Sequence, residues 1–188
     1  GEPAKAVGVI LDIDAEKREA QRMRERAERD TLTGLYNKGT MEAKADHALG
    51  ALMPGENAVL LMIDIDNFKQ VNDFYGHLSG DVMLTEAARM LQDMFRASDI
   101  LGRIGGDEFA VFARDALDEN VIRNRCRQIT ARLADIDYPN GYRISVSMGI
   151  SFYPRHGKDY PTLFSHADAA LYHLKKHRGK GGYAVYGE

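Results

Sequence analysis

Apolar residues fall in short, separate blocks along this chain. Residues 58–63 (AVLLMI) form a continuous run, the length of a buried strand and far too short to span a membrane. Two further runs, 100–104 and 109–113, bracket Gly105-Gly106-Asp107-Glu108 and predict a β-hairpin. From Arg143 onward, Ile144, Val146 and Met148 alternate with Ser145 and Ser147, so one face of that strand is polar or tightly approached. After Asp30 the expected order is helix, strand 58–64, helix 81–95, hairpin, helix 120–136, strand 142–153, helix 161–177 and strand 183–186. This order suits an α+β sandwich with a mainly antiparallel central sheet flanked by helices. Ahead of it, residues 6–13 (AVGVILDI) read as a strand and 15–29 as a charged helix. On that helix Ala20, Met23 and Ala27 fall at i, i+3 and i+7, a thin stripe with coiled-coil spacing.

Asp107 and Glu108 put two like charges side by side on a turn, which folding alone does not favour. A divalent cation removes that repulsion, because hard cations such as Mg²⁺ take carboxylate oxygens. The two glycines are expected to supply positive φ and room for a ligand at the main chain, although Gly-Gly-Asp is also an ordinary turn. A second acidic group, Asp64-Ile65-Asp66, ends the 58–63 run. The carboxyl end of a central strand is where αβ folds place ligands. Period-two geometry points Asp64 and Asp66 to one side. With the hairpin beside this strand, Asp64 and Asp107 would hold one or two metal ions. Such a site suits nucleoside triphosphate oxygens and hydroxyl attack on an α-phosphate.

Around these clusters stand Asp30-Thr31-Leu32-Thr33-Gly34-Leu35-Tyr36-Asn37, Phe68-Lys69, Asn72-Asp73, Gly76-His77, Gly80-Asp81 and Ala167-Asp168-Ala169-Ala170-Leu171-Tyr172. In order and spacing the set resembles the GGDEF family of diguanylate cyclases over residues 30–186. The resemblance implies a ferredoxin-like nucleotidyl-cyclase palm. In the implied reaction two GTP molecules, held by the facing subunits of a homodimer, condense to cyclic di-GMP and two pyrophosphates. Asp64, the carbonyl of Ile65 and Asp107 would bind Mg²⁺, with Mn²⁺ as an alternative. Asp107 would accept the hydroxyl proton, with Glu108 as a neighbouring electrostatic or metal contact. Lys69 would contact phosphate, Asn72 and Asp81 would read guanine, and His77 would line the same pocket. Lys175 matches the family's phosphate-binding lysine and Lys180 a second base. Their register is open, because the stretch from Tyr172 to Lys180 is one residue longer than the usual YxxKxxG(R/K). Lys38 stands where many members carry Arg, which removes a planar fork.

Asp81 has a chemical logic of its own. Guanine presents N1–H and an N2 amine as donors, and a carboxylate only accepts, so Asp81 favours GTP over ATP. The alternative is a helix N-cap after Gly80. Arg96-Ala97-Ser98-Asp99, five residues short of Gly105, matches the family's inhibitory site for its product, cyclic di-GMP. Arg grips phosphate or the Hoogsteen edge of guanine, and Asp accepts from the Watson–Crick edge. The alternative is a helix-terminal Arg beside a Ser-Asp turn. Arg123, Arg125 or Arg127 would assist, unless they only decorate a charged helix. His173 and His177, four apart, have zinc-site spacing but no evident third ligand, and a solvated basic helix end accounts for them.

Composition narrows the picture further. The chain has 188 residues, 44 % of them hydrophobic, enough for one substantial domain. A net charge of −3 argues against general nucleic-acid binding. The single Cys126 allows no intrachain disulfide and fits a reducing, cytoplasmic compartment for this piece, while a membrane anchor elsewhere in the intact protein stays open. Residues 1–29 resemble the last strand of a PAS sensor domain with its signalling helix, a disordered tail being the alternative, and 30–188 the cyclase domain. An upstream sensor is therefore an expected partner in the intact protein. Three functions are open: an active cyclase, a silent module that binds GTP or cyclic di-GMP, and a cyclase of altered product.

Overall fold

The computed structural model describes residues 13–115, 118–136 and 142–188. The strand expected over 6–13 lies outside these, apart from Ile13, which opens helix α1 (Ile13–Glu28). Then follow β1 (Tyr36–Asn37), α2 (Lys38–Gly50), β2 (Ala58–Ile65), α3 (Phe68–Tyr75), α4 (His77–Met94) and β3 (Ile100–Arg103). The chain finishes with β4 (Glu108–Arg114), α5 (Glu119–Ala134), β5 (Val146–Tyr153), α6 (Tyr160–His177) and β6 (Gly182–Val185).

One six-stranded sheet runs β1-β3-β4-β2-β5-β6. Its four inner strands are antiparallel, while the edge pairs β1–β3 and β5–β6 are parallel. From β2 to β5 the chain goes strand, helices, hairpin, helix, strand, with β2 and β4 side by side in the middle. This is the split βαβ arrangement of ferredoxin-like folds. The sheet is α+β and mixed, as the hydrophobic pattern predicts for its centre.

Strand β2 is apolar on both faces because both are covered. Val59, Leu61, Ile63 and Ile65 meet Met83, Leu84 and Leu91 of α4 and Cys126, Ile129 and Leu133 of α5. Ala58, Leu60 and Met62 meet Met41 and Ala45 of α2 and Leu163, Ala167 and Leu171 of α6. Each fully buried aliphatic side chain contributes about 1.5–3 kcal/mol. On β5 the alternation has a double cause. Ser147 and Ser151 are buried on the α6 side, and the Ser151 hydroxyl donates to the Leu163 carbonyl at 2.7 Å. Between them a Cβ on Gly149 would stand 1.9 Å from the Ala167 carbonyl oxygen. That face is both polar and tightly approached.

Two expectations need correction. The helix expected from Asp81 starts at His77, so Asp81 lies inside its second turn and the N-cap reading fails. Gly76 at φ +81 separates α4 from α3, a short helix that the sequence pattern misses because its eight residues bury only Val71. Strand β5 begins at Val146, four residues after the expected start. Among the described residues, no helix is long and apolar enough to cross a membrane.

Candidate functional site

Strand register brings the two acidic groups together. Asp64, the penultimate residue of β2, lies opposite Glu108 on β4 and Ser147 on β5. The Ile65 N–H donates to the Asp107 carbonyl at 3.1 Å, so the hairpin turn sits against the end of β2. Asp64 continues the α2/α6 face of the strand, where the apolar residues stop. The turn closes through Ile104 N–H to the Glu108 carbonyl, 2.8 Å. Its glycines do not work as expected, since neither Gly105 nor Gly106 has positive φ. A Cβ on Gly105 would lie 2.5 Å from Glu108 Oε2, the flexible end of a side chain that can move aside.

The electrostatics follow from this crowding. Burial, then the charges of Asp107 and Asp66, push the Asp64 carboxyl up, against an opposing ion pair from Lys175. Burial also raises Glu108, helped by Asp64, Asp107 and Asp168. Lys175, near the end of α6, makes its ion pair directly with Asp64 Oδ1. Lys180 goes elsewhere, donating to Asn67 Oδ1 at 2.6 Å. Among the described residues, no three acidic, His or Cys side chains form a ready metal cage. Mg²⁺ does not need one, because it binds through one or two carboxylates completed by substrate phosphates. The hard-oxygen set of Asp64, Asp107 and the Ile65 carbonyl, under mutual repulsion, fits such an ion.

Asp66 differs from Asp64 although both face the same way. It is buried, and its carboxylate accepts the Ser145 hydroxyl at 2.7 Å and the Ser147 hydroxyl at 2.8 Å. Ser147 in turn accepts the Gly181 N–H at 3.1 Å. Asp66 thus ties the loop after β2 to β5 and to the loop after α6.

The residues expected to read guanine gather where α3 meets α4. The Asn72 carboxamide lies over Gly80, whose Cβ would fall 2.0 Å from Asn72 Oδ1. That Oδ1 is buried and has no hydrogen-bond partner. Asp81 and His77 are exposed nearby on α4, and Lys69 is exposed on the first turn of α3. Among the described residues, no ion pair joins Lys69 to the acidic cluster, whose ion pair is with Lys175. Phe74 and Leu78 stand 80 % and 82 % exposed beside this group.

One residue escapes the sequence reading. Arg103, two positions before Gly105, donates to the Gly106 carbonyl at 2.7 and 3.2 Å and to Asp30 at 3.1 Å. Asp30 also accepts the Thr33 N–H and hydroxyl. Burial opposes ionisation of Asp30, yet the Thr33 and Arg103 hydrogen bonds outweigh it and hold the carboxyl below its usual range. Asn37 continues the link, capping α2 at Thr40 and donating to the Ala27 carbonyl of α1 at 2.7 Å. The available signal was an Arg just before the glycines and an Asp opening DTLTG.

Arg96 and Asp99 sit at the other end of β3. The Arg96 N–H donates to Asp99 Oδ2, and the Asp99 N–H to the Arg96 carbonyl, both at 2.9 Å. Burial raises the Asp99 carboxyl despite Arg96 and Arg125. Both residues line a cavity of about 220 Å³ with Asp115, Asp118 and Arg125. Of the three helical arginines only Arg125 belongs to it. Arg123 pairs with Glu119 and Glu188, and Arg127 lies over the Tyr183 ring. The His173 and His177 rings are 4.5 Å apart on an exposed face, with no third ligand among the described residues.

Comparisons with known proteins agree with this geometry. The family model described as diguanylate cyclase, GGDEF domain, matches residues 27–181. The chain is 36 % identical over 154 residues to the diguanylate cyclase TpbB of Pseudomonas aeruginosa, covering 80 % of this chain and 35 % of TpbB. It is 35 % identical over 178 residues to the cyclic di-GMP phosphodiesterase PdeR of Escherichia coli, covering 93 % of this chain and 26 % of PdeR. It therefore spans about a quarter to a third of these relatives. The solved GGDEF domain of TpbB superposes with a TM-score of 0.78 at 32 % identity, covering 84 % of this chain and 94 % of that one. The GGDEF domain of DgcB from Caulobacter crescentus, solved with c-di-GMP, gives 0.77 at 26 %, covering 86 % and 97 %. Family model, relatives and fold converge: this chain belongs to the GGDEF diguanylate cyclase family.

Proposed function

We propose that this domain condenses two GTP molecules into cyclic di-GMP, each subunit of a dimer presenting one nucleotide to the other. The observation that carries this reading is the register of Asp64 against Glu108, with Asp107 held at Ile65. It gathers three carboxylates at one strand end, intact in type at every position the reaction needs. A Mg²⁺ ion bound through Asp64, Asp107 and the Ile65 carbonyl would neutralise triphosphate charge and polarise the α-phosphate.

The chain's own residues supply the rest. The unpartnered Asn72 Oδ1 and the exposed Asp81 are acceptors, matching the N1–H and N2 amine of guanine. ATP would set a lone pair at its N1 against Asp81, and hydrogen-bonding sites reject such partners strongly. Lys175 and Lys69 are the point charges that would contact phosphate. At the reacting centre the 3′-oxygen of one GTP forms a bond to the α-phosphorus of the other. The bond to the β-phosphate oxygen breaks, pyrophosphate leaves, and Asp107 takes the hydroxyl proton. Two such steps close the ring. Exposed Phe74 and Leu78, beside the guanine residues, suit burial when the two sites meet.

Arg96, Asp99 and Arg125 form the second part of the proposal, a site where the product binds and stops turnover. Two guanidinium groups and a carboxylate beside an open cavity suit guanine and phosphate together. Incubation of the chain with Mg²⁺ and GTP is expected to yield cyclic di-GMP and pyrophosphate, and ATP no cyclic product. GTP left intact by the chain after bound cyclic di-GMP is stripped would overturn the reading.

A further inference from the structure

Lys175 has a role that phosphate contact alone does not describe. Its ammonium group is paired with Asp64 Oδ1, the same oxygen-bearing group that a divalent ion would use. Among the described residues Asp64 has no other ion-pair partner, while Asp107 and Asp66 crowd it with negative charge. Glu108 also feels the Lys175 charge against those of Asp64, Asp107 and Asp168. The lysine is partly exposed, at the end of a long stem with four rotatable bonds, in the last turn of the helix that ends at His177. It is therefore placed to move without repacking the core.

We propose that Lys175 is the resident counter-cation of the carboxylate cluster, and that it and a divalent ion exclude each other from Asp64. This rests on the reading of Asp64 as a metal ligand. Without nucleotide, the ammonium group neutralises part of the cluster and keeps affinity for free metal low. When metal and triphosphate arrive together, the phosphates offer the lysine a new anionic partner. Lys175 then leaves Asp64 for phosphate as the ion takes its place. The exchange makes the site select the metal–nucleotide complex over either component, because an ion alone must displace the lysine without offering it a new anionic partner. It also makes Lys175 a positioning residue for the metal before it is a ligand of the substrate.

The test counts Mn²⁺ bound to the whole chain in the absence of nucleotide, using the electron paramagnetic resonance signal of the free ion. Lys175→Met removes the charge and keeps the length, and is expected to bind Mn²⁺ about tenfold more tightly than the wild type. Lys175→Arg retains the charge and should stay near the wild-type affinity. Thermal melting of each variant checks that the fold is kept. Asp64→Asn, alone and combined with Lys175→Met, identifies the site. If Lys175→Met binds no more tightly while binding still depends on Asp64, the exchange is overturned and the metal site stands. If binding does not depend on Asp64 in any variant, the metal reading falls and takes the exchange with it.

Discussion

The β3–β4 hairpin carries a charged group at each end, and the two are built on opposite principles. At the turn, Asp107 and Glu108 join Asp64 in a crowd of like charge, held in place by sheet register and relieved by a single lysine. At the start of β3, Arg96 and Asp99 close a small turn, the Arg96 N–H donating to the Asp99 carboxylate and the Asp99 N–H to the Arg96 carbonyl. Four residues of strand separate them, about 13 Å. The first site is part of the sheet and is electrostatically incomplete. The second is a local turn that needs no strand pairing, with the Arg96 and Arg125 guanidinium groups beside its carboxylate. A site that lacks charge balance is poised to take a cation, whereas a local turn can gain or lose a ligand without disturbing the sheet. Chemistry and its control are thereby separable on one hairpin.

The largest effect should come from the crowded end. Asp64→Ala and Asp107→Ala are expected to cost at least about a hundredfold in turnover. Melting temperatures should stay close to wild type, since each change relieves repulsion and Asp64→Ala also removes the Lys175 ion pair. A drop in stability that matches the drop in activity would break the contrast. Next is Arg103→Ala, which cuts the link from Asp30 to the Gly106 carbonyl and leaves a partly buried carboxylate short of a partner. A loss of about 1–3 kcal/mol in denaturant unfolding, together with slower turnover, is expected. Because the folded Asp30 carboxyl sits below its ordinary value, its stabilising share is complete above about pH 4 and fades as pH falls through the folded value. The Arg103→Ala chain should lose part of that acid sensitivity in pH-dependent melts.

Arg96→Ala should act at the other end alone. Initial turnover is expected within about twofold of wild type, while inhibition by added cyclic di-GMP is relieved. Undiminished inhibition would remove the proposed role of the Arg96–Asp99 turn. The smallest effect concerns Cys126, on the core side of the helix that carries Arg125. Burial pushes its thiol up to about 12. A thiol reagent should leave it unmodified in the native chain, with or without cyclic di-GMP. Modification that appears only with the dinucleotide would mean that the turn is not local after all.

Much of this was legible in the sequence, for identifiable reasons. The continuous run of β2 and the paired runs of the hairpin announce the strands, while the meeting of Asp64 with the turn depends on their pairing, which only the register supplies. Lys175 is found through its match to the family's phosphate-binding lysine. The reasons for individual residues were harder to read. Gly105 lies against the flexible end of the Glu108 side chain and does not turn the chain with positive φ. Asp81 looks like a cap only when α3 and the true start of α4 are unseen, and α3 has too short an apolar period to show. Arg103 and Asp30 are 73 positions apart, and no local pattern predicts a contact across that distance.

The most direct measurement is the initial rate of cyclic di-GMP formation from GTP and Mg²⁺ across a range of chain concentrations, beside the Asp107→Ala chain. Two facing carboxylate sites predict a rate per chain that climbs with concentration and is lost in Asp107→Ala. Cyclic di-GMP made at the wild-type rate by Asp107→Ala would contradict the account at its centre.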